Sequence, residues 1–100
     1  MVDSSISKFF EKSLKERLGV VADFSGLSQD ELKIIEDATG GISYNQADNM
    51  IENAIGTFSL PLGIATNFRI NDKDYLIPMV IEEPSVIAAA SKAAKIARIH

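Results

Sequence analysis

Apolar residues first recur at three- and four-residue spacing from Ile6 through Phe9, Phe10 and Leu14 to Leu18. Lys8, Glu11, Lys12, Lys15 and Glu16 fall mostly on the other side. This spacing predicts an amphipathic helix over residues 4–18, with Gly19 as a stop or kink. In "GLSQDELKIIEDATGG", Ser28 stands three residues before Glu31, the pattern of a capping box. Asp30 and Glu31 lie in the first turn, where the helix dipole favours acids. Leu32, Ile35 and Ala38 are the expected buried stripe of this second helix, and Gly40-Gly41 its end. Ser43 can cap a third helix over residues 44–53, with Ala47, Met50, Ile51 and Ala54 as its apolar positions and Gly56 as its break.

The period then shortens from helical to extended. "TFSLPLGIATNFR", residues 57–69, mixes β-branched and aromatic residues with Pro61 and Gly63, and the proline suggests an edge or a bulge. "FRINDKDYLIPMVI" predicts a hairpin turning at Asn71-Asp72, because both residues tolerate turn geometry. The return strand, about Tyr75 to Ile81, is nearly all apolar, which predicts burial on both faces. Pro84 suits the first position of a last helix, where its missing N–H costs nothing. Alanines 88, 89, 90, 93, 94 and 97 favour that helix, and Lys92, Lys95 and Arg98 come late, where cations suit the dipole. The predicted class is α+β: N-terminal helices, a β-hairpin and an Ala-rich final helix. Such a helix buries little of its own surface unless something packs tightly on it. That suggests a piece of something larger.

With 100 residues there is room for one small domain. The net charge of −4 argues against a nucleic-acid binder, which would show a basic patch. The absence of cysteine excludes thiolate metal sites and cysteine nucleophiles. His100 is the single histidine, which excludes a His-based triad or a two-His metal site within the chain, and no metal is expected. No glycine-rich phosphate loop is present. Neither a signal-peptide core nor an apolar run long enough for a membrane span occurs, so a soluble, cytoplasmic protein is expected.

One short stretch carries candidate chemistry. In "VIEEPSVIAAAS", Glu82 and Glu83 sit side by side between a strand and a helix. Acids at a helix start are favoured by about 0.3–1 kcal/mol each, which explains them without chemistry. The alternative is that the apolar flank "LIPMVI" partly buries one of them. Desolvation and a like charge would then raise its pKa and leave a proton to donate. The helix N-terminus opposes that shift. Ser85 could offer its hydroxyl and backbone N–H to an anionic group.

"MIENAIGTFSLPLGIATNFRINDKDYLIPMVIEEPSVIAAASKAAKIAR", residues 50–98, closely resembles the N-terminal catalytic region of hydroxymethylglutaryl-CoA reductases. "EN-x-IG" followed by "GTF…LP", and "EEPS" before "AAAS", resemble the class II enzymes. The resemblance implies reduction of hydroxymethylglutaryl-CoA to mevalonate and CoA with two NADPH or NADH, or the reverse oxidation. It implies that the chain is the N-terminal part of a large substrate-binding domain. The nicotinamide-binding domain would then lie outside the chain, which binds no cofactor alone. A homodimer-based assembly follows, with active sites between subunits.

By the same resemblance, Glu83 is the catalytic acid, acting with a lysine, an aspartate and a histidine from later in the parent chain. Ser85 contacts the substrate carboxylate. Glu52, Asn53, Ile55 and Gly56 belong to a motif near the dimer contact and the substrate. Ala54 replaces the more usual valine of that motif. Phe9-Phe10-Glu11 stand where the family often has a basic residue after an aromatic. Lys92 and Lys95 are not the family's catalytic lysine, nor is His100 its histidine. The isolated chain is expected to be inactive. The alternative is a stand-alone α+β dimerisation or interaction module derived from the same fold.

Overall fold

The computed structural model describes residues 3–37 and 41–99. The order is a single 3₁₀ turn Phe9–Glu11, α1 Leu14–Ser25, α2 Gln29–Asp37, α3 Tyr44–Met50, β1 Leu62–Ile70, β2 Lys73–Val80 and α4 Val86–Ile99. The chain divides into two compact units, Met1–Leu27 with Leu60–His100, and Ser28–Ser59.

The core of the first unit is the β1–β2 hairpin with α4 laid on β1. Asn71 and Asp72 form the expected turn, with φ of 52° and 64°, and Ile70 pairs with Lys73 directly across it. Positive φ at both central residues marks the type I′ turn, whose twist matches that of the strands. Ala65 pairs with Ile77 but Phe68 with Tyr75, so β1 holds one extra residue, a bulge at Thr66-Asn67. The bulged backbone still finds partners. The Thr66 N–H donates to Ser91 Oγ at 2.9 Å and the Asn67 N–H to the Ser4 carbonyl at 2.8 Å. The Asn67 side-chain amide donates to the Ser91 carbonyl at 3.1 Å, so Ser91 joins α4 to the bulge. Ala65, Thr66 and Asn67 are buried. A Cβ on Gly63 would stand 2.5 Å from Ile87 Cδ1, so this glycine is what lets α4 approach the sheet.

Several sequence expectations are corrected. The helix predicted over 4–18 is instead a 3₁₀ turn followed by α1, and Gly19 lies inside α1. Lys8 is left-handed, with φ 54°, which breaks any helix passing through it. Ser13 then starts α1 with a complete capping box to Glu16, and Gly26, at φ 76°, ends it. The return strand is not buried on both faces. Val80 and Tyr75 are exposed, because only one helix covers the two-stranded sheet among the described residues. Pro61 precedes β1, and its carbonyl accepts from the Ile81 N–H at 3.2 Å. The proline inside a strand is Pro78, opposite Ile64. Pro84 is not in the helix, since α4 begins two residues later at Val86.

In the second unit the Ser28–Glu31 capping box forms as expected, with bonds of 2.9 and 3.2 Å. Ser43 caps α3 through Gln46. The predicted stripe of α2 is not buried: Ile35 is exposed and Leu32 half-buried. Ala38 and Gly40 lie outside the described residues. α3 ends at Met50 rather than at residue 53, since Ile51 is already extended and Asn53 is left-handed at φ 59°.

Candidate functional site

The "EEPS" segment is the connection from β2 to α4. Val80 ends the strand, Glu82 to Ser85 form bends and a turn, and Val86 begins the helix. Ser85 is left-handed, with φ 76°, and its carbonyl accepts the Ala89 N–H at 2.9 Å, closing the first helical turn. A serine costs more than a glycine in that conformation. Ser85 therefore stands immediately before the helix rather than one residue into it. Glu82, Glu83 and Ser85 are all exposed. The partial burial that the apolar flank suggests as an alternative for one of the two glutamates is absent, because the apolar residues of "LIPMVI" precede the bend instead of covering it. The loop presents Glu83 and Ser85 at the entrance to α4.

The second motif, Glu52 to Gly56, follows α3. Glu52, Asn53, Ile55 and Gly56 are exposed and Ala54 is half-buried. Ile55 is 95% exposed. A Cβ on Gly56 would meet nothing within 4 Å, so nothing described in the chain requires glycine there.

A cavity of about 720 Å³ opens within the first unit beside the start of α4, where Ile87 and Ala88 line it. The bulge residues Thr66 and Asn67, together with Ser91, form its polar floor. Residues 5–10 form a further wall that brings Phe9 and Phe10. Lys8, Arg17 and Lys95 reach it from three different segments, and no carboxylate is among its described lining residues. Such a cavity favours an anion with an apolar part. Sequence reasoning did not assemble it. Lys8, Arg17 and Lys95 are far apart in the chain, and the one local signal was the polar Thr66-Asn67 pair interrupting an apolar strand.

Among the described residues, no helix is long and apolar enough to cross a membrane.

Comparison with known proteins gives these elements a context. The sequence model of the family described as hydroxymethylglutaryl-coenzyme A reductase matches residues 13–100. The chain belongs to that family. It is 59% identical over 97 residues to the 3-hydroxy-3-methylglutaryl-coenzyme A reductase of Archaeoglobus fulgidus, covering 97% of this chain and 22% of that protein. It is 41% identical over 98 residues to a probable reductase of the same name from Borreliella burgdorferi, covering 92% of this chain and 22% of that one.

A solved reductase from Streptococcus pneumoniae superposes with a TM-score of 0.81 at 39% identity, over 93% of this chain and 22% of that chain. Another structure from that organism, the class II reductase bound to NADPH in open conformations, gives 0.80 at 39% identity over 93% and 25%. The resemblance carried by "ENAIGTF" and "EEPS" is thus borne out, as is the α+β class. The chain spans about a fifth of the length of the reductases it matches.

Proposed function

We propose that this chain is the N-terminal part of the substrate-binding domain of a class II reductase. That enzyme would interconvert hydroxymethylglutaryl-CoA with mevalonate and CoA. The observation that carries the reading is family membership over residues 13–100, with the "EEPS" turn held at the mouth of α4. Reduction of the thioester to the alcohol consumes two NAD(P)H and two protons and releases CoA. Negative charge grows on the substrate oxygen as hydride arrives. A carboxylic acid beside that oxygen can deliver the proton, which is the role assigned to Glu83. Its exposure in this chain fits a group covered by substrate and by a partner surface. Ser85, two residues on, is assigned to the substrate's free carboxylate, and Glu82 to a neighbour that tunes or caps.

Coenzyme A carries phosphates at one end and an uncharged arm at the other. The cavity flanked by Lys8, Arg17 and Lys95 and walled by Phe9 and Phe10 suits both properties. It adjoins the helix that follows Ser85, so the substrate could span from the cavity to the turn. The Glu52–Gly56 segment is assigned to the substrate region and the contact between subunits. Its bare Ile55, and Phe58 at 88% exposure, support a surface covered in a homodimer-based assembly.

The nicotinamide cofactor does not fit this chain. The one strand-to-helix connection among the described residues, Ile81–Ser85, carries two carboxylates and no glycine, which opposes a pyrophosphate. The isolated chain is therefore assigned no turnover. The protein is placed in the cytoplasm, with no nucleic-acid or membrane partner. The test is NAD(P)H absorbance with hydroxymethylglutaryl-CoA. Turnover is expected from the full-length protein carrying this segment and not from the segment alone. An active segment would overturn the division of labour, and an inactive full-length protein would favour a non-catalytic interaction module.

A further inference from the structure

Ser4 is fully buried although it lies near the chain start, and four groups converge on it. Its hydroxyl donates to the Phe68 carbonyl at 2.9 Å and accepts from Arg98 Nη1 at 3.1 Å. Its carbonyl accepts the Asn67 N–H at 2.8 Å, and its own N–H points to Asp74 Oδ2 at 3.4 Å. The Arg98 guanidinium completes the clip. Nη1 also donates to the Asn67 carbonyl at 3.0 Å, while Nη2 bridges Asp3 at 3.1 Å and Asp74 at 3.3 Å. One side chain from the last turn of α4 thus fastens the N-terminal segment to both strands of the hairpin.

Beyond this clip the segment is held by packing of the half-buried Ile6 and Phe9 rather than by hydrogen bonds. Among the described residues, no hydrogen bond ties Ser5, Ile6, Ser7, Lys8 or Phe9 to the hairpin or to α4. The next anchor is Arg17, which donates to the Phe10 carbonyl at 3.5 Å and to that of Lys12. Lys8, left-handed at φ 54°, reverses the chain between the two anchors. Residues 5–10 nevertheless line the cavity. We infer that residues 3–10 are a hinged strap over this cavity, and that the Arg98–Ser4 clip decides whether the strap is shut. Releasing the clip swings Lys8 and the two phenylalanines away from α4 and leaves Arg17 and Lys95 behind. The clip governs access to the cavity, whatever the cavity binds.

Two readouts on the full chain test it. The Asn67 amide reports the clip directly, since it donates to Ser4. Arg98→Lys keeps a positive charge beside Asp74, but one ammonium cannot serve Ser4, Asn67 and Asp3 together. The Asn67 amide hydrogen should exchange at least tenfold faster in this variant, while the Ala89 amide of α4 changes much less. Ser4→Ala, which removes only the hydroxyl, should act in the same direction and serves if Arg98→Lys does not fold. The chain lacks cysteine, so Ser7→Cys with Lys92→Cys gives a unique spin-label pair. Its distance distribution should be narrow in the parent and broader and longer in either clip variant. Unchanged Asn67 exchange, an unchanged distance distribution, or equal acceleration of Asn67 and Ala89 would overturn the strap. The last outcome would make Arg98 a general fold determinant.

Discussion

Arg98 is a late helical cation by sequence, but its side chain is only 14% exposed and faces Asp74, itself 15% exposed. A desolvated charge must be matched, and removing one partner strands the other. Arg98→Met should therefore lower stability by about 2–4 kcal/mol, less than for a fully enclosed pair because both groups keep some water. Adding Asp74→Leu should recover part of that loss, and denaturant midpoints of the two variants check both. Nothing in "KIARI" distinguishes this arginine from Lys95 as a late helical cation, since its partners lie 24 to 95 residues away. Gly63 was equally silent. Its contact is the flexible end of Ile87, so Gly63→Ala should cost only about 1–2 kcal/mol, through a rotated Ile87. Glu83 and Ser85 stand out in the sequence only through the motif they share with the family. Their exposure does not, because burial depends on what covers a bend.

Helix starts show which local signals prevail. Ser13 and Glu16 have the same spacing as Ser28 and Glu31, but the apolar spacing of residues 6–18 points to one continuous helix and carries the sequence reading past them. The cap and the left-handed Lys8 prevailed because each acts on the backbone directly, whereas exposed Phe10 and Leu14 gain little from facing one side. Ser13 donates its backbone N–H to Glu16 and Ser28 its own to Glu31, and each hydroxyl accepts the acid's N–H. The bonds from Ser13 hold the Glu16 carboxyl below the usual glutamate range, and those from Ser28 do the same for Glu31. Both acids bind fewer protons folded than unfolded. Their contribution is complete above the ordinary glutamate pKa of about 4.3 and is lost as pH falls through the lower folded values. Circular dichroism should show helicity falling in that acid range, and Ser13→Ala should remove much of the α1 part. At the hairpin, Asp72→Gly should stabilise by about 0.5–1 kcal/mol, because glycine relaxes a residue at φ 64°. A raised melting temperature would confirm it.

On the scale of the molecule, the sequence correctly indicated a hairpin and an Ala-rich final helix. It overstated the burial of β2 and α2, since an apolar run signals that a face will be covered but not by what. Ile55, Phe58, Met50 and Ile99 remain bare. On our reading the rest of the enzyme and a second subunit cover them. The isolated chain should then self-associate, eluting above its 10.9 kDa mass in a concentration-dependent way on size exclusion. On this reading Glu83 supplies the proton in a reductase built around this segment. The most direct measurement is steady-state NAD(P)H oxidation with hydroxymethylglutaryl-CoA by the full-length protein, with and without Glu83→Gln. In the variant, kcat should fall by about 10²–10⁴-fold with little change in KM. A Glu83→Gln enzyme that turns over at nearly the parent rate would contradict that role for Glu83.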